Sequence, residues 1–328
     1  MPDQSTPLVT VGVPVYRGQD VLPVTLECMR TQSYGNLDVL ISVDGTDEAS
    51  IEASRPFLND RRFRLHVQPA RLGWAGNLNW TLQHRQGDFF IFQQHDDQVS
   101  PTYIADLVAA ALQWPKASVC YSEMKITGHV DAMVRHKAIL GDPISRALTH
   151  IERFDTSMLR GLIRSSALDR TGGVQTLDHE SFGSDHRFMT ELALAGEFRF
   201  VSGPTYFKRL HDANLHLKWY EWTEEKKRAA WTSLAAQIVE ALVPAGRDRI
   251  ERWHLLYTAL ERFIVSRGGD RWSLCTMDDA DDEACLSLLA GIFRRVRDVS
   301  RIDIPSSLGA SWPEIAARAA MRFERHPA

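Results

Sequence analysis

Four short apolar runs, separated by helical repeats, organise the first third of the chain. Leu8–Val15 is rich in β-branched residues and closes at Pro14, the pattern of a buried strand that stops as the chain turns. Leu22, Leu26 and Met29 then share one helical face, and Leu37–Val43 reads as a second strand ending at Asp44-Gly45. Phe63–Gln68 gives a third strand. Trp74, Leu78 and Leu82 mark a helix stopped at Gly87, and Asp88–Gln93 gives a fourth strand. This alternation predicts an α/β fold with a mainly parallel sheet flanked by helices.

Ala117–Ile126 continues the pattern as a further strand, whereas Thr127–Thr156 shows no usable periodicity. From about Thr223 the character changes to amphipathic helices. Trp231, Leu234, Ala235, Ile238 and Leu242 form one stripe before Pro244. Ile250, Trp253, Tyr257 and Leu260 form a second, and Leu288, Leu289, Ile292, Phe293 and Val296 a third. These residues read as core, so a C-terminal helical region follows the α/β part.

Composition narrows the function classes mainly by exclusion. With 38 basic and 42 acidic residues the net charge is -4, and no basic block suggests nucleic acid as a partner. Cys28, Cys120, Cys275 and Cys285 lack CxxC pairing, which indicates neither a zinc site nor a disulfide framework. No stretch approaches the ~20 apolar residues of a transmembrane segment, and the N-terminus has no signal-peptide pattern. A soluble, cytoplasmic protein is expected, with peripheral membrane contact left open.

The chemistry concentrates in FFIFQQHDDQVSP, where an apolar run stops at His95-Asp96-Asp97. Two adjacent carboxylates repel each other and suggest a bound cation; a solvated loop would carry them equally well. Ser100 reads as an N-cap and Pro101 as the first helical residue before Ile104, Leu107, Val108, Ala111 and Leu112. The pair therefore falls in a strand-to-helix turn, where open α/β sheets bind ligands. Asp44 closes the second strand on the same rim. The first loop, PVYRGQD, has one glycine and is neither a Rossmann turn nor a P-loop.

Together, VTVGVPVYRGQDVLPVTLECMRTQSYGNLDVLISVDGTDE and RLGWAGNLNWTLQHRQGDFFIFQQHDD resemble a family 2 glycosyltransferase with a GT-A fold, over roughly residues 8–215. The resemblance implies a GT-A domain at 1–215, a helical region at 216–328, and a nucleotide-diphosphate sugar donor. It places Pro14, Val15 and Tyr16 along the donor nucleotide, Asp44 on its base, and Arg71 and Asn77 on the donor as well. Asp96 is implied to face the sugar or ribose and Asp97 to hold manganese or magnesium. Two departures remove negative charge: Gln94 replaces the usual first motif aspartate, and a single Asp44 stands where Asp-Asp is common.

On the acceptor side, GSDHRFMTELALAGEF predicts a helix with Ser184 as N-cap, Gly196 as terminator and Asp185 in the first turn. An acid there complements the helix dipole; the resemblance implies that it is the general base. His211, in YFKRLHDANLH, matches the histidine that completes the metal or diphosphate site, while His216 reads as incidental. Trp219, Tyr220 and Trp222 suit either stacking on an acceptor sugar or packing of the following helices.

The implied reaction is metal-assisted, inverting transfer to a hydroxyl of a glycan, lipid-linked or other acceptor in polysaccharide or glycan biosynthesis. Two alternatives stand beside it. A nucleotidyltransferase also uses carboxylate-bound magnesium, but its glycine-rich basic first loop is absent. A non-catalytic nucleotide-sugar or glycan-binding protein on a decayed GT-A fold would account for Gln94.

Overall fold

The computed structural model describes residues 6–175, 181–211, 219 and 221–267. They fall into two compact units: 6–146 with 156–175 and 191–211, and 147–155 with 181–190, 219 and 221–267. The helix expected over Leu288–Val296, the cysteines Cys275 and Cys285, and His216 and Tyr220 lie outside the described residues.

The first unit is built on one sheet. Strands β1 (Val9–Val15), β2 (Leu37–Val43), β3 (Phe63–Val67) and β4 (Phe89–Phe92) lie parallel in the order β3-β2-β1-β4. β1 and β2 are buried along their whole length, so each reads as a continuous apolar run. Helices α1 (Leu22–Arg30), α2 (Glu48–Ser54), α3 (Gly73–Gln83) and α4 (Tyr103–Gln113) intervene or follow. Beyond β4 the sheet is mixed: β8 (Leu162–Arg164) runs antiparallel to β4 and to β6 (Ala117–Gly128), while β9 (Glu197–Leu210) runs parallel to β6. β5 (Gln98–Val99) joins the far edge against β9, and β7 (Ala132–Val134) pairs with β6.

Two boundaries differ from the expected ones, and one helix falls where none was expected. Helix α3 ends at Gln83; Gly87 serves a close approach instead, because an added Cβ would meet the Leu8 carbonyl oxygen at 2.4 Å. Helix α4 starts at Tyr103, and Ser100 is used to anchor β9, its Oγ accepting from the Thr205 N–H at 3.0 Å. The segment without periodicity contains α5 (Pro143–Arg153), begun by Asp142, whose carboxylate accepts from the Ser145 N–H at 3.0 Å. Its buried positions include Arg146 and His150 beside Ala147, Leu148 and Ile151, so polar residues interrupt the apolar stripe. A four-residue turn, α6 (Ser165–Leu168), follows β8.

Helix α7 (Ser184–Ala195) closes at Gly196, whose N–H donates to the Leu192 carbonyl at 3.0 Å. Ser184 is already helical. Its hydroxyl donates to the Ser181 carbonyl at 2.6 Å, so the expected N-cap is not formed.

In the second unit, α8 (Glu224–Leu242) starts at Thr223, whose Oγ1 accepts from the Lys226 N–H at 3.3 Å, and buries Trp231, Leu234, Ala235, Ile238 and Leu242 as the periodicity predicts. In α9 (Arg249–Arg267) the buried face carries Leu255, Leu256, Ala259 and Leu260, whereas Ile250 is 81% exposed in the first turn. Trp219, Trp222 and Trp231 gather around Phe182 at centroid separations of 5.0, 5.7 and 5.0 Å. No described helix is long and apolar enough to cross a membrane.

Candidate active site

The carboxyl ends of β1 and β2 open onto a pocket of about 320 Å³ lined by Tyr16, Arg17, Asp44–Asp47 and Pro69–Arg71. Arg71 lies over the Tyr16 ring, its guanidinium carbon 4.0 Å from the centroid, giving the pocket a flat cationic wall. Opposite in character is Asp44. It is 4% exposed, and its two carboxylate oxygens accept from the Leu72 and Gly73 N–H groups at 2.6 and 3.0 Å, fixing the entry to α3.

The loop after β1 is held in an unusual conformation. Arg17 has φ of 52°, and its N–H donates to Asp47 Oδ2 at 2.6 Å while the Gly18 N–H donates to Ser50 Oγ at 2.9 Å. Burial would raise Asp47, but hydrogen bonds from Ser50 and the Arg17 N–H outweigh it and hold the carboxyl below the usual range.

Of the other residues expected along the donor, Pro14 and Val15 are buried in β1, and the Val15 carbonyl accepts from the Asp44 N–H at 2.8 Å. Asn77 does not reach the pocket either. It is 2% exposed; Nδ2 donates to the Ser42 carbonyl at 2.9 Å and Oδ1 accepts from Ser42 Oγ at 2.6 Å, which pins α3 to β2. Tyr16, Asp44 and Arg71 are thus the members that converge on one cavity.

His95 links this loop to the acidic turn. Its ring packs against Gly18, where an added Cβ would meet Cδ2 at 2.8 Å, and burial pushes the imidazole below its ordinary value. The turn is braced from inside: Thr25 Oγ1 donates to the His95 and Asp97 carbonyls at 2.8 and 3.0 Å, and Gln93 Nε2 donates to the Asp97 carbonyl at 2.9 Å.

The two aspartates diverge. Asp97 is 1% exposed, and its oxygens accept from the Arg209 N–H and the Tyr206 hydroxyl, both at 2.8 Å. Burial, then repulsion from Asp96, raises its carboxyl to about 6. Asp97 therefore clamps β9 to the turn, and that clamp delivers the next side chain. His211, two residues beyond Arg209, places Nε2 2.8 Å from Asp96 Oδ2. Asp96 is the carboxylate that meets the histidine, while Asp97 faces β9.

Gln94 and Arg160 complete this neighbourhood. Gln94 Oε1 accepts from Arg160 Nε at 3.2 Å and Nη2 at 2.9 Å, and the guanidinium carbon lies 5.9 Å from the Tyr206 ring centroid. Sequence reasoning missed Arg160 and Tyr206.

Asp96 and His211 together offer one oxygen and one nitrogen donor, a set that suits a divalent cation of the manganese type when phosphate oxygens and water supply the remaining positions. Among the described residues, no cluster of three or more His, Cys, Asp or Glu could hold a metal by itself.

Asp185 lies in the first turn of α7, partly exposed, as expected. In the same unit His186 stacks on Phe154 at 3.7 Å, and His150 is fully buried with its imidazole pushed down to about 3, by burial first and then by His186.

Residues 10–183 match the family described as Glycosyl transferase family 2, and this span covers more than half of the 328 residues. The chain belongs to that family of transferases. Glycosyltransferase GlyA of Streptococcus pneumoniae is 26% identical over 106 residues, 32% of this chain and 15% of that protein. An uncharacterized glycosyltransferase of Haemophilus influenzae is 30% identical over 95 residues, 29% of this chain and 38% of that protein. The matched segment thus spans well under half the length of either relative. Among solved structures, S. aureus TarS 1–349 in complex with UDP-GlcNAc superposes with a TM-score of 0.65 at 14% identity, covering 95% of this chain and 88% of that one. The likeness shows the GT-A-like fold.

Proposed function

We propose that the chain transfers a sugar from a nucleotide-diphosphate donor to an acceptor hydroxyl by inverting, cation-assisted displacement. The observation that carries this reading is the contact between Asp96 and His211, two metal-competent side chains brought to 2.8 Å beside a nucleoside-sized pocket. Uridine is the favoured nucleoside, because the TarS structures with the same fold hold UDP and UDP-GlcNAc.

In this reading Tyr16 and Arg71 flank the base and Asp44 accepts from its ring N–H. Asp96 and His211 would hold the cation, which when bound would neutralise charge growing on the leaving diphosphate. Asp97 sets their geometry from behind. Asp185 takes the acceptor proton as the hydroxyl oxygen attacks the anomeric carbon and the bond to the diphosphate breaks. Its assignment rests on the family resemblance and its place in the first turn of α7.

The test is proton NMR of donor consumption, with UDP- and GDP-sugars supplied with Mn2+ or with chelator. The reading predicts consumption of a nucleotide sugar in Mn2+ alone, and release of sugar with inverted anomeric configuration. Absence of binding and turnover with every nucleotide sugar would overturn it.

A further inference from the structure

A second cavity, of about 330 Å³, lies in the first unit at the opposite end of the sheet from Asp96. Its walls come from where strands begin: Ala117 and Glu197 open β6 and β9 as register partners, and Arg164 pairs with Phe89, the first residue of β4. Asp96 follows the other end of β4, so the two sites occupy different rims.

Four cations line this cavity, Lys116, Arg146, Arg164 and Arg170. Each arginine donates to backbone carbonyls. Arg146 reaches Ala193 and Leu194 at 2.7 and 3.0 Å, Arg170 reaches Ala195 at 2.6 Å, and Arg164 reaches Ala111 and Ala117 at 2.8 and 3.0 Å. These bonds serve the C-terminal ends of α7 and α4. Helix capping accounts for their positions but not for their charge, since each helix end is worth about half a negative charge and four full positive charges face two such ends.

The neighbouring carboxylates supply only part of the difference, Glu197 and Asp142 acting on Arg146 through space and not as ion-pair partners. Glu197 Oε2 is taken by Arg199 at 2.9 and 2.6 Å, and Asp142 accepts from the Ser145 N–H and hydroxyl. None of the four cations forms an ion pair with a described carboxylate. Arg146 is 7% exposed, and burial pushes its guanidinium below the ordinary arginine value although Glu197 and Asp142 act on it in the opposite sense and Arg170 adds repulsion.

We propose that this cavity binds an anionic phosphate group, as a free phosphorylated compound or as the headgroup of an anionic lipid. Arginine and lysine together suit that chemistry, the guanidinium groups offering paired donors and the ammonium a mobile point charge. A cavity of about 330 Å³ accommodates a diphosphate.

The experiment uses the full chain in metal-free buffer with inorganic pyrophosphate in calorimetry, and phosphatidylglycerol against phosphatidylcholine vesicles in co-sedimentation. The wild type is compared with the double variant Lys116→Glu/Arg170→Glu, and with Lys116→Gln/Arg170→Gln should the charge reversal fail to fold. Both positions are exposed, and far-UV circular dichroism monitors the fold. Saturable pyrophosphate binding weakened at least about tenfold in the variant assigns the site to free phosphate. Phosphatidylglycerol binding lost in the variant, with no pyrophosphate binding, assigns it to a headgroup. No binding in either arm, or binding unchanged by the substitutions, overturns the proposal.

Discussion

His211 Nε2 and Asp96 Oδ2 lie 2.8 Å apart although 115 positions separate them in the chain. That contact depends on Asp97, which bonds the Tyr206 hydroxyl and the Arg209 N–H and so fixes the end of β9 two residues before the histidine. Adjacent aspartates thereby divide the work: one is spent on architecture and the other is presented to the site.

The division predicts different failures for the two. Asp97→Ala removes two hydrogen bonds and leaves the buried Tyr206 hydroxyl without its acceptor, at a cost of about 2–4 kcal/mol. Urea unfolding reads this as a lower midpoint. Unchanged stability combined with lost Mn2+ affinity would return Asp97 to the ligand role.

Arg71 and Tyr16 should matter to the nucleotide and not to the fold. The 4.0 Å stack forms one wall of the pocket and supports no buried strand. Arg71→Ala is expected to weaken UDP binding about tenfold, in the range of one cation–π or charge-assisted contact, with an unaltered melting temperature. Equal UDP affinities in the variant and wild type would place the base elsewhere.

Asp185→Asn keeps the shape of the side chain and removes its ability to accept a proton. Donor binding should persist while transfer falls about 100- to 10,000-fold. Turnover close to wild type with an identified acceptor would leave Asp185 as a residue that complements the dipole of α7.

Much of the fold is legible in the sequence because β1, β2 and β4 are buried along their whole length and announce themselves as apolar runs. Helix α5 is not, because Arg146 and His150 sit on its buried side. Helix α2 is short and buries only Ser50 and Ser54, which carry no hydrophobic signal. In the site, the acidic turn and His211 stand out by residue type. Which aspartate faces outward does not, since both are charged and adjacent; the tertiary partners on β9 decide it. Arg160 has no local pattern, lying in a 3-10 turn far from Gln94 in sequence.

Stability should fall as the medium is acidified below neutrality. His150 stays neutral in the folded chain down to about 3, whereas an unfolded histidine takes up a proton near 6.5. Between those values the unfolded state binds more protons, so stability drops with falling pH, by about 2 kcal/mol from pH 7.5 to 5 for this residue. His186 adds repulsion, and Asp155 and Asp185 oppose the shift. Asp97 acts with the opposite sign, gaining its proton near 6 in the fold and near 3.8 when unfolded. Over the same window Asp97 offsets about 1.4 kcal/mol of that loss, so urea midpoints should fall only slightly from pH 7.5 to 5 in the wild type and rise in His150→Gln, where Asp97 acts unopposed; an equal fall in both would assign the acid sensitivity to other groups.

In the proposed reaction Asp96 and His211 form the protein's share of a cation site serving a nucleotide diphosphate. Calorimetric titration of UDP into wild type, Asp96→Asn and His211→Ala, each with Mn2+ and with chelator, tests it most directly. Mn2+ is expected to strengthen UDP binding to the wild type, and either substitution to remove at least about 100-fold of that gain, beyond the 10- to 100-fold typical of residues that only support a ligand. UDP binding that is indifferent to Mn2+ in the wild type, or equally Mn2+-dependent in Asp96→Asn, would contradict it.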